Sequence, residues 1–393
     1  MPYESRMYGN SLGVFRAVLC LLVVAFHGYL YWATSGDQSA FGAEEKVHLV
    51  NQSPFLKLLS FANLGVDGFI VLSGFLAGRS FLASPCRFSL RAYLAKKVRR
   101  ILVPYWLTLL AILAGLAVVG NNPTDPFFGY CPGTLALSPL LLNNFIGFGG
   151  CGVHLWSVAV QIHLFVVFGL ACKAVQAWVV VGRPGDAAVD PSTARKGMAA
   201  LTGAALVGSI ALRIAMAMFF GSRFPPPPFD HPGMSPEARD AAMRYYHVLY
   251  FATPSRATNF FTGVLLSLLF PILRPWSARA SRAMALAATF VTSSYLGLLA
   301  SVDYRGGDWG PWYGALVFHG SPMASIVMAL LLVSAIVAPG PPQFPSRTAR
   351  TAKVVVQWLS DHSYLIYLVH PLMMRLLWLT PVAGWADDKM ITR

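Results

Sequence analysis

Arg16-Ala-Val-Leu-Cys-Leu-Leu-Val-Val-Ala-Phe-His27 is the first long apolar run of the chain, and its reading decides the fold. An arginine and a histidine bracket ten residues that are otherwise apolar. On a helix, eleven steps at about 1.5 Å put the two polar groups about 16 Å apart. Eleven steps at about 100° make three turns and about 20°, so both side chains leave the helix on one side. With Arg16 at a membrane surface, His27 lies near the middle of a hydrocarbon layer about 30 Å thick. An ionisable group at that depth is costly and marks function by default. The competing reading is a histidine that hydrogen-bonds a neighbouring helix and only aids packing.

Composition extends this reading to the whole chain. Of 393 residues, 56% are apolar and only 12% charged, with a mean hydropathy of +0.56. Soluble domains carry about 25% charged residues. The expected fold is therefore an all-α polytopic membrane protein. Nine spanning segments are read, at about 11–32, 58–82, 104–120, 152–178, 198–220, 246–272, 283–302, 314–338 and 354–379. They form one domain over 1–393, a bundle of about nine transmembrane helices with a polar intramembrane cavity. Its outer loops fall at about 33–57, 121–151, 221–245 and 303–313. The first run is too long for a cleavable signal peptide, and its exit has no small-residue cleavage site.

The net charge of +14 sorts by side rather than forming a nucleic-acid surface. Arg6, the Arg87–Arg100 loop and the loops after the fourth, sixth and eighth segments hold seventeen basic residues, against eight on the other side. Positive charge favours the cytosol, which places the N-terminus there. Cys131 and Cys151 flank the loop between the third and fourth segments, on the far side, where a disulfide can form.

Five places combine polar groups with membrane depth. Arg16 and His27 are the first. Asp67 and Ser73 lie in or near the second segment. An aspartate inside a span needs a histidine or arginine on a neighbouring helix, unless it caps a helix start at the surface. In the basic loop, Lys96, Arg99 and Arg100 stand three or four residues apart and can share a face suited to phosphates. Trp156, Ser157, Gln161 and His163 open the fourth segment, with Trp156 read as an interfacial anchor. Ser363, Tyr367 and His370 form a stripe on the last segment, and Arg256 adds a cation to the sixth. No zinc spacing, phosphate loop or nucleophile elbow occurs. Such a set suits acyl or proton transfer without a metal.

Arg16-x10-His27, Asp67…Ser73-Gly74-Phe75-Leu76, Arg99-Arg100…Pro104, Leu155-Trp156-Ser157 and Ser363-Tyr364…Tyr367-Leu368…His370 occur in that order over about 90% of the chain. Together they resemble the acyltransferase-3 integral membrane family. The Cys131/Cys151 pair and Tyr245, Tyr246, Tyr250, Pro254, Arg256 and Gly263 resemble its eukaryotic, nose-resistant-to-fluoxetine-like branch. The resemblance implies an enzyme of an internal membrane or the cell surface. It would move an acyl group from cytosolic acyl-CoA to a hydroxyl of a sugar or lipid at the lumenal or outer side. It implies His27, Asp67, Ser73, Tyr367 and His370 as catalytic and Arg16, Lys96, Arg99 and Arg100 as donor-binding. Trp156, Gln161 and Arg256 would complete the polar site, with Asp67 orienting His27 or balancing its charge. Two departures stand out. Gln161 occupies a position where the family usually has an acidic residue, and the chain stops at Arg393 where members carry a further span. The alternative to an enzyme is a transporter or lipid-binding protein that kept the fold.

Overall fold

Long apolar runs can satisfy their backbone inside lipid only as helices or closed barrels, and this chain folds as helices. The computed structural model describes residues 2–34, 48–119, 131, 136–145, 152–181, 191–220, 247–273, 278–301, 316–317, 320–337 and 347–378. Among the described residues there is no strand. Helix α1 is Pro2–Thr34, and a short α2, Pro54–Ser60, precedes α3, Leu64–Leu82. Helix α4, Leu90–Lys97, passes through a π-helical turn, Val98–Leu102, into α5, Val103–Val119. Then come α6, Trp156–Val181, α7, Pro191–Phe220, α8, Thr253–Leu273, and α9, Ala278–Ala300. Helices α10, Pro322–Val337, and α11, Arg347–Trp378, close the series.

Among the described residues, seven of the nine expected segments are long and apolar enough to cross a bilayer. The eighth, α10, has 16 residues, and the ninth, α11, is long but carries Arg347, Arg350, Lys353, Asp361 and Arg375. One correction concerns the basic stretch before Pro104. It is helix rather than loop, because the Ser89 hydroxyl caps α4 by accepting the Ala92 N–H at 3.3 Å. The third span therefore runs from Leu90 to Ala117. The expected outer loops 221–245 and 303–313 lie outside the described residues.

Helix α3 is the hub. Its Val66, Ile70, Ala77 and Phe81 join one apolar core, while Leu64, Val71, Leu72 and Phe75 join a second. Helix α8 lies along it with parallel chain direction, and glycine sets the distance. A Cβ on Gly74 would overlap the Phe260 carbonyl, one on Gly263 the Val71 carbonyl, and one on Gly78 the Ser267 hydroxyl. Small residues let backbones touch where lipid gives no hydrophobic drive to pair helices. At the rim of the bundle, Val207, Phe219, Leu286 and Phe290 are at least 70% exposed, which bilayer contact explains.

Helices α1 and α11 also run parallel. Gly13 faces Ser360, the Cys20 thiol reaches the Ser363 carbonyl at 3.6 Å, and His27 meets His370. These contacts recur every seven residues along α1, the repeat that keeps one seam facing a partner. The seam carries His27 to its neighbour and leaves Arg16 on a flank.

Candidate active site

A cavity of about 490 Å³ opens between α1, α3, the α4–α5 segment, α6 and α11. Arg16, Lys96, Lys97, Arg100 and Asp361 line one end, and Ser73, Ser157, Gln161 and Tyr367 line the other. Phe69, Leu72 and Phe165 form apolar wall. Asp361 and Tyr367 stand six residues apart on α11, about 9 Å of helix rise, which sets the distance between the two ends.

The charged end departs from expectation at two residues. Arg99 is exposed and does not line the cavity, whereas Lys97 does. Lining positions 96, 97, 100, 101 and 104 follow one helical face, and Arg99 points about 130° from its centre at about 100° per residue. Lys97 also lies over the Phe165 ring at 3.7 Å, a cation–π contact that fixes its stem in the wall.

At the other end the polar groups are mutually bonded. Ser73 Oγ donates to Gln161 Oε1 at 3.1 Å. The Tyr367 hydroxyl donates to the His154 carbonyl, and Ser157 Oγ lies 2.6 Å from the same hydroxyl. Behind Tyr367 sit three histidines, with His27 and His370 ring centres 4.6 Å apart and His154 5.4 Å from His370. His370 Nδ1 faces the Tyr367 carbonyl at 2.8 Å and the Ile366 carbonyl at 3.2 Å. Carbonyls only accept, so that nitrogen carries the proton in the neutral ring and Nε2 accepts. His27 Nδ1 lies 2.9 Å from the Val23 carbonyl and 2.8 Å from His370 Nε2. It therefore donates to both, and His27 Nε2 is the accepting nitrogen of its ring, an assignment that follows from the hydrogen-bond network. A buried imidazole oriented this way can take a proton.

Asp67 does not serve His27. It is fully buried, paired with Arg256 and bonded by Asn259 Nδ2 at 3.0 Å. Arg256 Nε donates to the Tyr250 carbonyl at 2.7 Å, and its guanidinium lies 4.5 Å from the Tyr250 ring and 5.0 Å from the Trp156 ring. Of the two partners open to Asp67, the arginine is the one α8 supplies. Arg213 on α7 is buried nearby and donates to the Leu249 carbonyl at 3.0 Å. Trp156 is 4% exposed and packs under Arg256, so it is no interfacial anchor. Arg16 lines the cavity while His27 does not; His27 is bonded to His370, whose Nδ1 is bonded to the carbonyl of Tyr367 in the lining.

The structure thus brings together Arg16, Lys96, Arg100, Ser73, Gln161 and Tyr367 in the cavity and His27 with His370 behind it. It sets Arg99, Asp67, Trp156 and Arg256 apart. Sequence reasoning missed Lys97, Arg213 and Asn259 as structural or lining groups. Arg213 is a single cation in an apolar run, and Asn259 stands three residues after Arg256, so both left a trace in the sequence. Cys151, Tyr245 and Tyr246 lie outside the described residues, and Cys131 is buried. Among the described residues no group of three His, Cys, Asp or Glu could hold a metal ion.

The family model for the acyltransferase domain, acyltransferase-3, matches residues 10–380. The chain belongs to the acyltransferase-3 family. No match was found among curated proteins or among solved structures. The acyltransferase-3 match starts six residues before Arg16 and ends ten after His370, so it includes both ends of the α1–α11 seam.

Proposed function

We propose that the chain is a membrane O-acyltransferase that uses acyl-CoA. Arg16, Lys96, Lys97 and Arg100 bind the phosphates of the donor at the charged end, taken as cytosolic. The acyl thioester reaches toward Gln161 and Tyr367, and a hydroxyl of a sugar or lipid enters from the lumenal or outer side. His27 Nε2 takes the hydroxyl proton as the oxygen attacks the acyl carbon, and His370 holds His27 in register. The carbon–sulfur bond then breaks, and the proton passes to the departing thiolate. One observation carries this reading: a cavity with four cations at one end adjoins a hydrogen-bonded imidazole pair at the other.

The nine-span topology belongs to the same proposal, with α10 and α11 as the eighth and ninth crossings. It is supported by the parallel pairs, since segments one and nine, and two and six, must run the same way. The eukaryotic branch is supported by Tyr250, Pro254, Arg256 and Gly263, three of which pack at the α3–α8 contact. That branch implies an endomembrane or cell-surface location and a Cys131–Cys151 disulfide on the outer side.

The test is a labelled acyl-CoA assay on purified full-length chain in proteoliposomes, with lipid and glycan fractions as acceptors. Transfer that is lost in His27→Ala supports the reading. Transfer that persists in His27→Ala refutes it, and passage of intact solute without transfer replaces it with a transporter.

A further inference from the structure

The hydroxyl and amide end of the cavity has a hydrogen account that can be closed. Its polar side chains are Ser73, Ser157, Tyr367 and Gln161. Each hydroxyl owns one proton. That of Tyr367 goes to the His154 carbonyl. Ser157, 2.6 Å from the Tyr367 oxygen, must then be the donor of that pair. The Ser73 proton goes to Gln161 Oε1, at 3.1 Å. Tyr364, further along the wall, donates to the Ile101 carbonyl at 2.8 Å. All of these hydroxyl protons are directed at protein acceptors. The amide oxygen of Gln161 is held by Ser73, which turns its Nε2 hydrogens away from Ser73 on a residue that lines the cavity.

We propose that Gln161 is an oxyanion-binding residue, donating Nε2–H to the carbonyl oxygen of the acyl group, with Ser73 as the positioning residue that fixes its amide. This deepens the acyltransferase reading and rests on it. A carboxylate at position 161 would present acceptors to the same oxygen and repel the charge that develops there. In the reaction, the acceptor hydroxyl oxygen bonds to the acyl carbon, and the carbonyl π pair moves onto oxygen. Gln161 stabilises that oxyanion by hydrogen bonding. The pair returns as the carbon–sulfur bond breaks to release the thiol, and the hydroxyl proton travels through His27. The amide is neither consumed nor ionised.

Two measurements test this. The first compares, by calorimetry on the full chain, acetonyl-CoA, an uncleavable ketone analogue, with propyl-CoA, which lacks the carbonyl. Wild type should favour the ketone by about tenfold, and Gln161→Ala should remove the preference without weakening propyl-CoA. The second compares turnover. Gln161→Ala and Gln161→Glu should each lower kcat about 10²–10³-fold with little change in donor KM, and Ser73→Ala should lose less than either. Equal binding of both analogues by wild type, or a Gln161→Glu chain faster than wild type, overturns the proposal. If wild type binds neither analogue, the acyl-CoA assignment itself falls and takes this inference with it. The calorimetry of wild type stands even where a variant fails to fold.

Discussion

His27 Nδ1 lies 2.8 Å from His370 Nε2, across the α1–α11 seam and 343 residues apart in the chain. The pair gives His27 an uncharged partner where many catalytic imidazoles have a carboxylate. A neutral acceptor orients the ring and its tautomer but does little to stabilise the imidazolium. His370→Ala should therefore lower kcat by about 10–10²-fold, and His27→Ala should abolish transfer. The double variant should be no worse than His27→Ala, since both act through one imidazole. Single-turnover assays on the four proteins check this.

The Asp67–Arg256 pair is a brace rather than a catalytic couple. Removing one partner leaves a buried charge unanswered, so Arg256→Ala should cost about 3–5 kcal/mol of stability. The Asp67→Asn, Arg256→Met pair should recover part of that loss. Thermal unfolding in detergent, followed by fluorescence-detected size exclusion, reads both. A stable Arg256→Ala chain with altered pH dependence of turnover would point instead to a role in chemistry.

The glycines of the α3–α8 contact are unequal to those elsewhere. Gly74→Leu or Gly263→Leu should prevent folded expression, because each side chain would drive into a facing carbonyl. A methyl group added at Gly203 would meet nothing within 4 Å, so Gly203→Ala should be neutral or stabilise by up to about 1 kcal/mol. Yield of monodisperse protein separates the two classes.

The cations at the charged end should divide by the face they occupy. Arg16→Ala, Lys97→Ala and Arg100→Ala should each raise donor KM and flatten its salt dependence. Arg99→Ala, exposed and off the cavity face, should change neither. Initial rates against ionic strength decide the matter.

Thiol labelling checks the cysteines. Cys86 is exposed and should react in the native protein, while Cys20 and Cys172 are buried and should react only on unfolding. With the proposed disulfide, Cys131 and Cys151 should react only after reduction as well. Mass spectrometry of labelled peptides distinguishes these states.

Much of the membrane architecture was legible in residue order. The Arg16–His27 run read correctly as one long helix, although only Arg16 of the two lines the cavity. Local charge misled at Lys96–Arg100, where a helix capped by Ser89 looked like a connecting loop because basic residues crowd it. Trp156 misled for a different reason. A tryptophan at a span start fits either a headgroup or a buried cation, and nothing adjacent in sequence tells them apart. The partner of Asp67 was out of reach on the same ground, since a single chain shows that an aspartate needs a cation but not which of several helices brings it. Arg99 was grouped with Lys96 and Arg100 because the three stand three or four residues apart, but the cavity face shared by Lys96, Lys97, Arg100, Ile101 and Pro104 is centred about 130° away from it.

The brace between α3 and α8 has a consequence for how the protein is made. Asp67 and Arg256 are separated by 189 residues. At about 5–20 residues per second, Asp67 leaves the ribosome roughly 10–40 s before its partner. During that wait Asp67 is without the arginine that pairs with it in the folded chain. The α3–α8 brace is therefore completed only when the sixth long apolar segment arrives.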